Sequence, residues 1–158
     1  MRKGQLWTLD MVLSLMIFFS ALLSIIMAWN FISADIFEGQ EMTEMQLKTM
    51  TISDSLIRTP GVPENWTNDT VSVIGLAYSD NELNTQKVEE FVNMSYSRSR
   101  ALLSVMPYHF YFEVKDINGT VYTNTSNPMN SDASVIIPAI RYASFNDRIV
   151  KVTFAMWI

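Results

Sequence analysis

The sequence predicts an α+β chain: a long N-terminal hydrophobic helix, then a head in which one further helix packs on an antiparallel sheet of about four strands. Three observations lead there. An uncharged apolar block fills residues 11–28. Apolar residues recur at helical spacing through 85–106 and stop at a proline. Behind that proline, apolar and polar residues alternate, with turn-forming residues between the runs.

The apolar block reads MVLSLMIFFSALLSIIMA. With Trp29 it makes about 19 residues, roughly 28 Å as a helix, against a hydrocarbon core of about 30 Å. Trp7 and Trp29 bracket it about where amphipathic indoles meet the two water interfaces. Arg2 and Lys3 precede the block, while Asp35, Glu38, Glu41 and Glu44 follow it. That bias in basic residues places the N-terminus on the cytoplasmic side of the cell membrane and the residues after about 35 outside. A cleaved secretory signal would have an apolar region of about 7–15 residues and a small-x-small site. This run is longer, and Ile32-Ser33-Ala34 opens on a bulky residue. An uncut signal anchor satisfies the same hydropathy rule.

The residues ahead of the block, Arg2-Lys3-Gly4-Gln5 followed by LWTLDMVLS, resemble the class III signal of archaeal type IV pilins and pilin-like proteins. The resemblance covers the N-terminal segment only. It implies that a prepilin peptidase cuts between Gly4 and Gln5, removing the leader 1–4 with its charges Arg2 and Lys3. Residues 5–34 would then be a transmembrane helix that later packs against other pilin subunits, and 35–158 an extracellular pilin-like head. It further implies a structural subunit, minor or accessory, of a surface filament or pseudopilus, with adhesion among its roles.

One position departs from the family pattern. The glutamate usual four residues beyond the glutamine is Leu9 here, and the acid comes next, at Asp10. An intramembrane carboxylate is costly and therefore a functional candidate by default. Asp10 is the candidate partner of a neighbour's new amino terminus; the competing reading is a carboxylate hydrated among headgroups. Ser14, Ala21 and Ala28 recur every seven residues, so small side chains share one helix face where another backbone can approach. Small residues are also common in solitary spans, and the pattern is looser than a glycine-based one.

Past the membrane, helix continues through 40–57 on Met45, Ile52 and Leu56, helped by Thr49, with Gly39 as a possible bend. It stops at Thr59-Pro60-Gly61-Val62-Pro63. Pro60-Gly61-x-Pro63-Glu64-Asn65-Trp66 resembles a segment of uncharacterised archaeal pilin-like proteins, a weaker match than the N-terminal one. Residues 71–77 read as a short strand. The second helix, 85–106, takes Asn84 or Thr85 as cap and Pro107 as its end. Strands follow at 108–115, 121–123, 134–144 and 149–157, with turns at Asn118-Gly119 and Asn146-Asp147. Pro138 confines its strand to an edge or a bulge.

Chemistry-bearing patterns are sparse. The formal charge of −5 leaves no basic surface for nucleic acid. With no cysteine there is no disulfide, thiolate metal site or thiol nucleophile. The one histidine, His109, falls on the polar face of a strand, where a solvated ring is expected rather than a general base. Asp80 and Glu82 lack the ligand series of a calcium loop, and Tyr96, Arg98 and Arg100 read as a wet helix face. No metal, cofactor or enzymatic activity is expected. The clearest outward-facing signal is a set of N-glycan acceptor triplets at Asn65, Asn68, Asn93, Asn118 and Asn124, more than the roughly two that chance would supply. Asn65, Asn68 and Asn124 fall in expected surface loops, Asn93 in the second helix and Asn118 in a tight turn. Turn-forming asparagine is the competing reading at each. An uncut anchored module that binds a ligand or cell-surface component through the loops at 60–70 and 124–132 remains the second functional expectation.

Overall fold

A computed structural model of the chain describes residues 3–125, 127–130 and 132–158, and for 3–8 and 33–39 the backbone alone. The chain divides into two compact units, Met1–Thr43 and Glu44–Ile158. Helix α1, Lys3–Arg58, is assigned without interruption and supplies the first unit and the start of the second. It contains no proline, and helix is assigned through Gly39.

Where α1 enters the second unit, Met45, Thr49, Leu56 and Ile57 are buried and Ile52 packs beside them, so the expected stripe faces the core. Thr49 returns its hydroxyl to the Met45 carbonyl (2.7 Å), which removes the cost of burying it. After Arg58 the chain turns at Thr59-Pro60. Carbonyls at this helix end have no partner in the helix. Here Leu56 and Ile57 accept from the amides of Leu76 (2.9 Å) and Asn81 (3.0 Å), and Thr59 accepts from Ala77 (3.1 Å).

The remaining elements are β1 (Ala77–Ser79), β2 (Glu82–Leu83), α2 (Thr85–Asn93), α3 (Tyr96–Leu102), β3 (His109–Asp116), β4 (Val121–Asn124), β5 (Ile136–Phe145) and β6 (Arg148–Trp157). They build one mixed sheet in the order β1-β2-β5-β6-β3-β4. All pairs are antiparallel except β2 with β5, which meet in parallel at Glu82 and Ser144. Six strands replace the four expected. The addition comes from β1 and β2, whose short ladder has too little apolar alternation to show as a hairpin. Residues 71–77 do not form the expected strand: Val73 makes an isolated bridge to Val62, and regular pairing begins only at Ala77.

The expected single helix over 85–106 is two. Asn84 caps α2 by accepting from the Lys87 amide (3.2 Å), as anticipated. At Met94 and Ser95 the backbone becomes extended before α3 begins. Helix ends at Leu102, ahead of Pro107, and Ser104 takes a left-handed φ of 53°.

The sheet's long strands follow their patterns. Phe110, Phe112 and Val114 of β3 are fully buried, and on β6 Met156, Phe154 and Val152 pair with them in turn across the core face. Phe91 of α2 packs edge-on to Phe112 and stacks near Phe110. Asn146 and Asp147 both take positive φ (52° and 60°), as a two-residue hairpin matched to strand twist requires. At the β3–β4 hairpin, Gly119 adopts φ 91° after a turn closed by its amide on the Asp116 carbonyl (2.9 Å). Pro138 lies inside β5, yet β2 touches that strand only at Ser144, so no strand in the described sheet borders its outer edge around Pro138.

Candidate functional site

In the first unit the feature that stands out is surface. Leu9–Ile32 is a 24-residue stretch of mean hydropathy 2.5, long and apolar enough to cross a membrane, and none of its hydropathic window is buried within the chain. Its side chains are turned out all round, from Met11 at 69% exposed to Phe31 at 74%. Its serines do not break that character. Ser20 donates to the Ile17 carbonyl (3.0 Å) and Ser24 to the Ser20 carbonyl (2.8 Å), so both hydroxyls are satisfied inside the helix. Ser14, Ala21 and Ala28 are exposed, and Asp10 is exposed at the start of the stretch. Arg2 lies outside the described residues. Lys3, Gly4 and Gln5 belong to α1 by backbone, and their side chains lie outside what is described.

In the second unit the segment 60–66 forms a closed loop against the end of α1. Trp66, 2% exposed, donates its indole N–H to the carbonyls of Pro60 (3.0 Å) and Gly75 (2.9 Å). Gly61 has φ +81°, and a Cβ there would sit 2.6 Å from that indole nitrogen. Gly75 presses on the Thr59 carbonyl and the Gly61 amide, leaving no room for a side chain. The Lys87 ammonium reaches the same turn, donating to Pro60 (2.9 Å) and Ala77 (3.2 Å) carbonyls. Burial lowers its pKa, and Glu64 acts in the opposite direction. The Pro-Gly-x-Pro-Glu-Asn-Trp pattern is thus a structural clasp.

The acceptor asparagines reach solvent. Asn65, Asn93, Asn118 and Asn124 are exposed and Asn68 is half-buried. Asn68 donates its backbone amide to Glu90 of α2 (2.8 Å). Asn93 is the last residue of α2 instead of a mid-helix position, and Asn124 ends β4 instead of opening a loop. Asn118 donates from its own side chain to Asp116 (3.0 Å).

Candidate chemical groups are engaged in structure. His109 is exposed on β3; its Nδ1 lies 3.2 Å from the Tyr96 hydroxyl, and its ring stacks between Tyr96 and Trp157. Arg100 donates to the carbonyls of Tyr108 (3.0 Å) and Pro107 (2.7 Å), strapping α3 to the start of β3, a role its sequence context did not reveal. Arg98 donates to the Asp69 carbonyl (3.0 Å). Asp80 faces Arg58 at 3.9 Å, and Glu82 accepts from Ser79 (2.7 Å). Among the described residues no group of three or more metal-ligating side chains comes together.

Sequence reasoning missed a polar row on the outer face of β3. Glu113, only 8% exposed, accepts from Tyr111 (3.1 Å) and pairs with Lys115 (2.8 Å). Burial raises the Tyr111 pKa, and the bond that Lys115 donates to Glu113 raises that of Lys115. The strand's alternation marked these positions as solvent-facing; in the fold they share a cleft with Asn124, Thr125, Pro128 and Met129, a neighbourhood invisible to periodicity. Compared with family models, curated proteins and solved structures, the chain matches none of them.

Proposed function

We propose that this protein is a pilin-like structural subunit, minor or accessory, of a surface filament or pseudopilus, anchored first in the cell membrane with its head outside. A prepilin peptidase cuts it between Gly4 and Gln5, and the retained helix then packs against those of other subunits. The observation that carries this reading is the Leu9–Ile32 stretch: apolar on every side, unburied within its own chain, and continuous in one helix with a folded head. A surface of that kind requires lipid or other helices around it. The Arg2-Lys3-Gly4-Gln5 junction favours a helix that has both partners in turn. Asp10 receives the new amino terminus of a neighbouring subunit, and Ser14, Ala21 and Ala28 give the close-approach face. The role is mechanical, with no catalytic group or cofactor.

Mass spectrometry of the native chain tests the reading. The expected mature protein starts at Gln5, and Gly4→Phe keeps the leader in place. Asp10→Ala leaves cutting intact and prevents assembly. A chain that retains Met1 in cells with active peptidase, and extracts as a monomer, overturns the filament reading in favour of an uncut surface module. Normal assembly of the Asp10→Ala protein would remove that residue from the mechanism.

A further inference from the structure

The break between α2 and α3 creates a site that a continuous helix would not have. Asn93 ends α2, and Met94 (φ −66°, ψ 143°) and Ser95 (φ −56°, ψ 131°) follow in extended backbone. Successive side chains of extended backbone point to opposite sides. Met94 accordingly turns into the core at 5% exposed, while Asn93 and Ser95 both face solvent. The amide and hydroxyl of one acceptor triplet are therefore presented together.

Asn93 also lines a cleft of about 370 Å³ between α2 and the β4 and β5–β6 region. Tyr122 of β4, 40% exposed, contributes an aromatic ring there, held edge-on by Phe145. Thr85, Glu89, Thr123 and Asn146 add hydroxyl, carboxylate and amide groups to its wall. Thr85 donates to the Asn146 side-chain oxygen (2.8 Å), which leaves the Asn146 NH₂ free to donate elsewhere. A flat ring beside several hydroxyl-seeking polar groups suits a pyranose, which has one apolar C–H face and a rim of hydroxyls. The Asn118 turn offers the contrast: Asn118 is exposed and its side-chain amide already donates to Asp116 (3.0 Å).

We propose that Asn93 carries an N-linked glycan and that its first sugar residues lie in this cleft, against the Tyr122 ring. The proposal rests on the outward-facing reading of the head. In the transfer, the Asn93 amide nitrogen bonds to the anomeric carbon of an oligosaccharide held on a polyprenyl phosphate or diphosphate. The bond from that carbon to the phosphate oxygen breaks, and one amide proton is lost as the lipid phosphate leaves. Once attached, the sugar is tethered beside the cleft at an effective concentration on the order of millimolar. A shallow site that would not hold free sugar is filled under those conditions.

The test uses native protein extracted from its own membranes. Trypsin releases residues 88–98, in which Asn93 is the sole acceptor. The expected result is a glycan mass on that peptide, absent from Asn93→Gln and Ser95→Ala proteins. The seat is read separately, from the unfolding midpoint of the head before and after enzymatic removal of the glycan. Removal lowers the midpoint by roughly 2–4 °C when Tyr122 or Tyr122→Phe is present, and leaves it unchanged in Tyr122→Ala protein. A bare 88–98 peptide beside glycosylated Asn65, Asn68 or Asn124 overturns the site and leaves the outward head standing. Bare peptides at every acceptor overturn the site and remove the glycan support for an outward head. A glycan whose removal has the same effect with and without the Tyr122 ring overturns the seat.

Discussion

Residues 9–32 and residues 44–158 use the same apolar side chains under opposite rules. In the head, Phe110, Phe112 and Phe154 have no exposed surface; in the helix, Phe18, Ile25 and Phe31 keep 61%, 69% and 74% of theirs. The head builds a closed core from its own chain, so its composition specifies a fold. The helix builds none there, so its composition specifies surroundings. Hydropathy summed over the whole sequence blends the two and describes neither.

Substitutions that separate the regions sharpen this contrast. The largest effect belongs to Phe18→Arg combined with Leu22→Arg, each costing about 2.5–3.5 kcal/mol of membrane insertion. The expected outcome is loss of the protein from the membrane fraction with unchanged near-ultraviolet dichroism of the head. Unfolding of the head with those changes would break the division. Phe112→Ala reverses the pattern: about 3–5 kcal/mol of head stability lost in denaturant titration, with membrane retention intact.

A smaller effect follows pH. Burial lowers the folded pKa of Lys87 below its ordinary 10.5, so between those two values the unfolded chain binds more protons than the folded one. Stability contributed by this group therefore rises with pH across that window. Lys87→Met flattens the rise when unfolding free energy is compared with the parent at matched pH; identical slopes would show that the amine is not desolvated. The smallest effect is at Asp54, which accepts from Arg141 of β5 at 2.6 Å with 47% of its side chain exposed. Asp54→Asn should change stability by less than about 1 kcal/mol, diminishing further in high salt. A larger loss would mean that the helix-to-sheet tie is shielded from water.

What the sequence disclosed follows from where the determining physics lies. The apolar run, the alternation in β3 and β6, the Asn84 cap and the Asn146-Asp147 turn are local, and each was legible. The α2–α3 break was hidden because Val92, Leu102 and Leu103 keep a helical rhythm across it; Ser95, standing where a cap belongs, was the available signal. The β1–β2 hairpin was hidden because its strands are three and two residues long and owe their place to the α1 terminus and β5. Lys87 gave no signal in the sequence and Trp66 gave one only as part of a pattern, because their shared target, the Pro60 carbonyl, is reached only once the chain has folded back. Asp10, Ser14, Ala21 and Ala28 are placed on an open helix surface, where their chemistry depends on neighbours outside the chain.

The sewing of the α1 end to residues 76–81 has a mechanical meaning. A pull transmitted along that helix arrives at the Leu56, Ile57 and Thr59 carbonyls, each gripped by a different amide, with the Trp66 and Lys87 clasp beside them. Parting that helix end from residues 76–81 therefore requires three separate backbone bonds and the neighbouring clasp to give way.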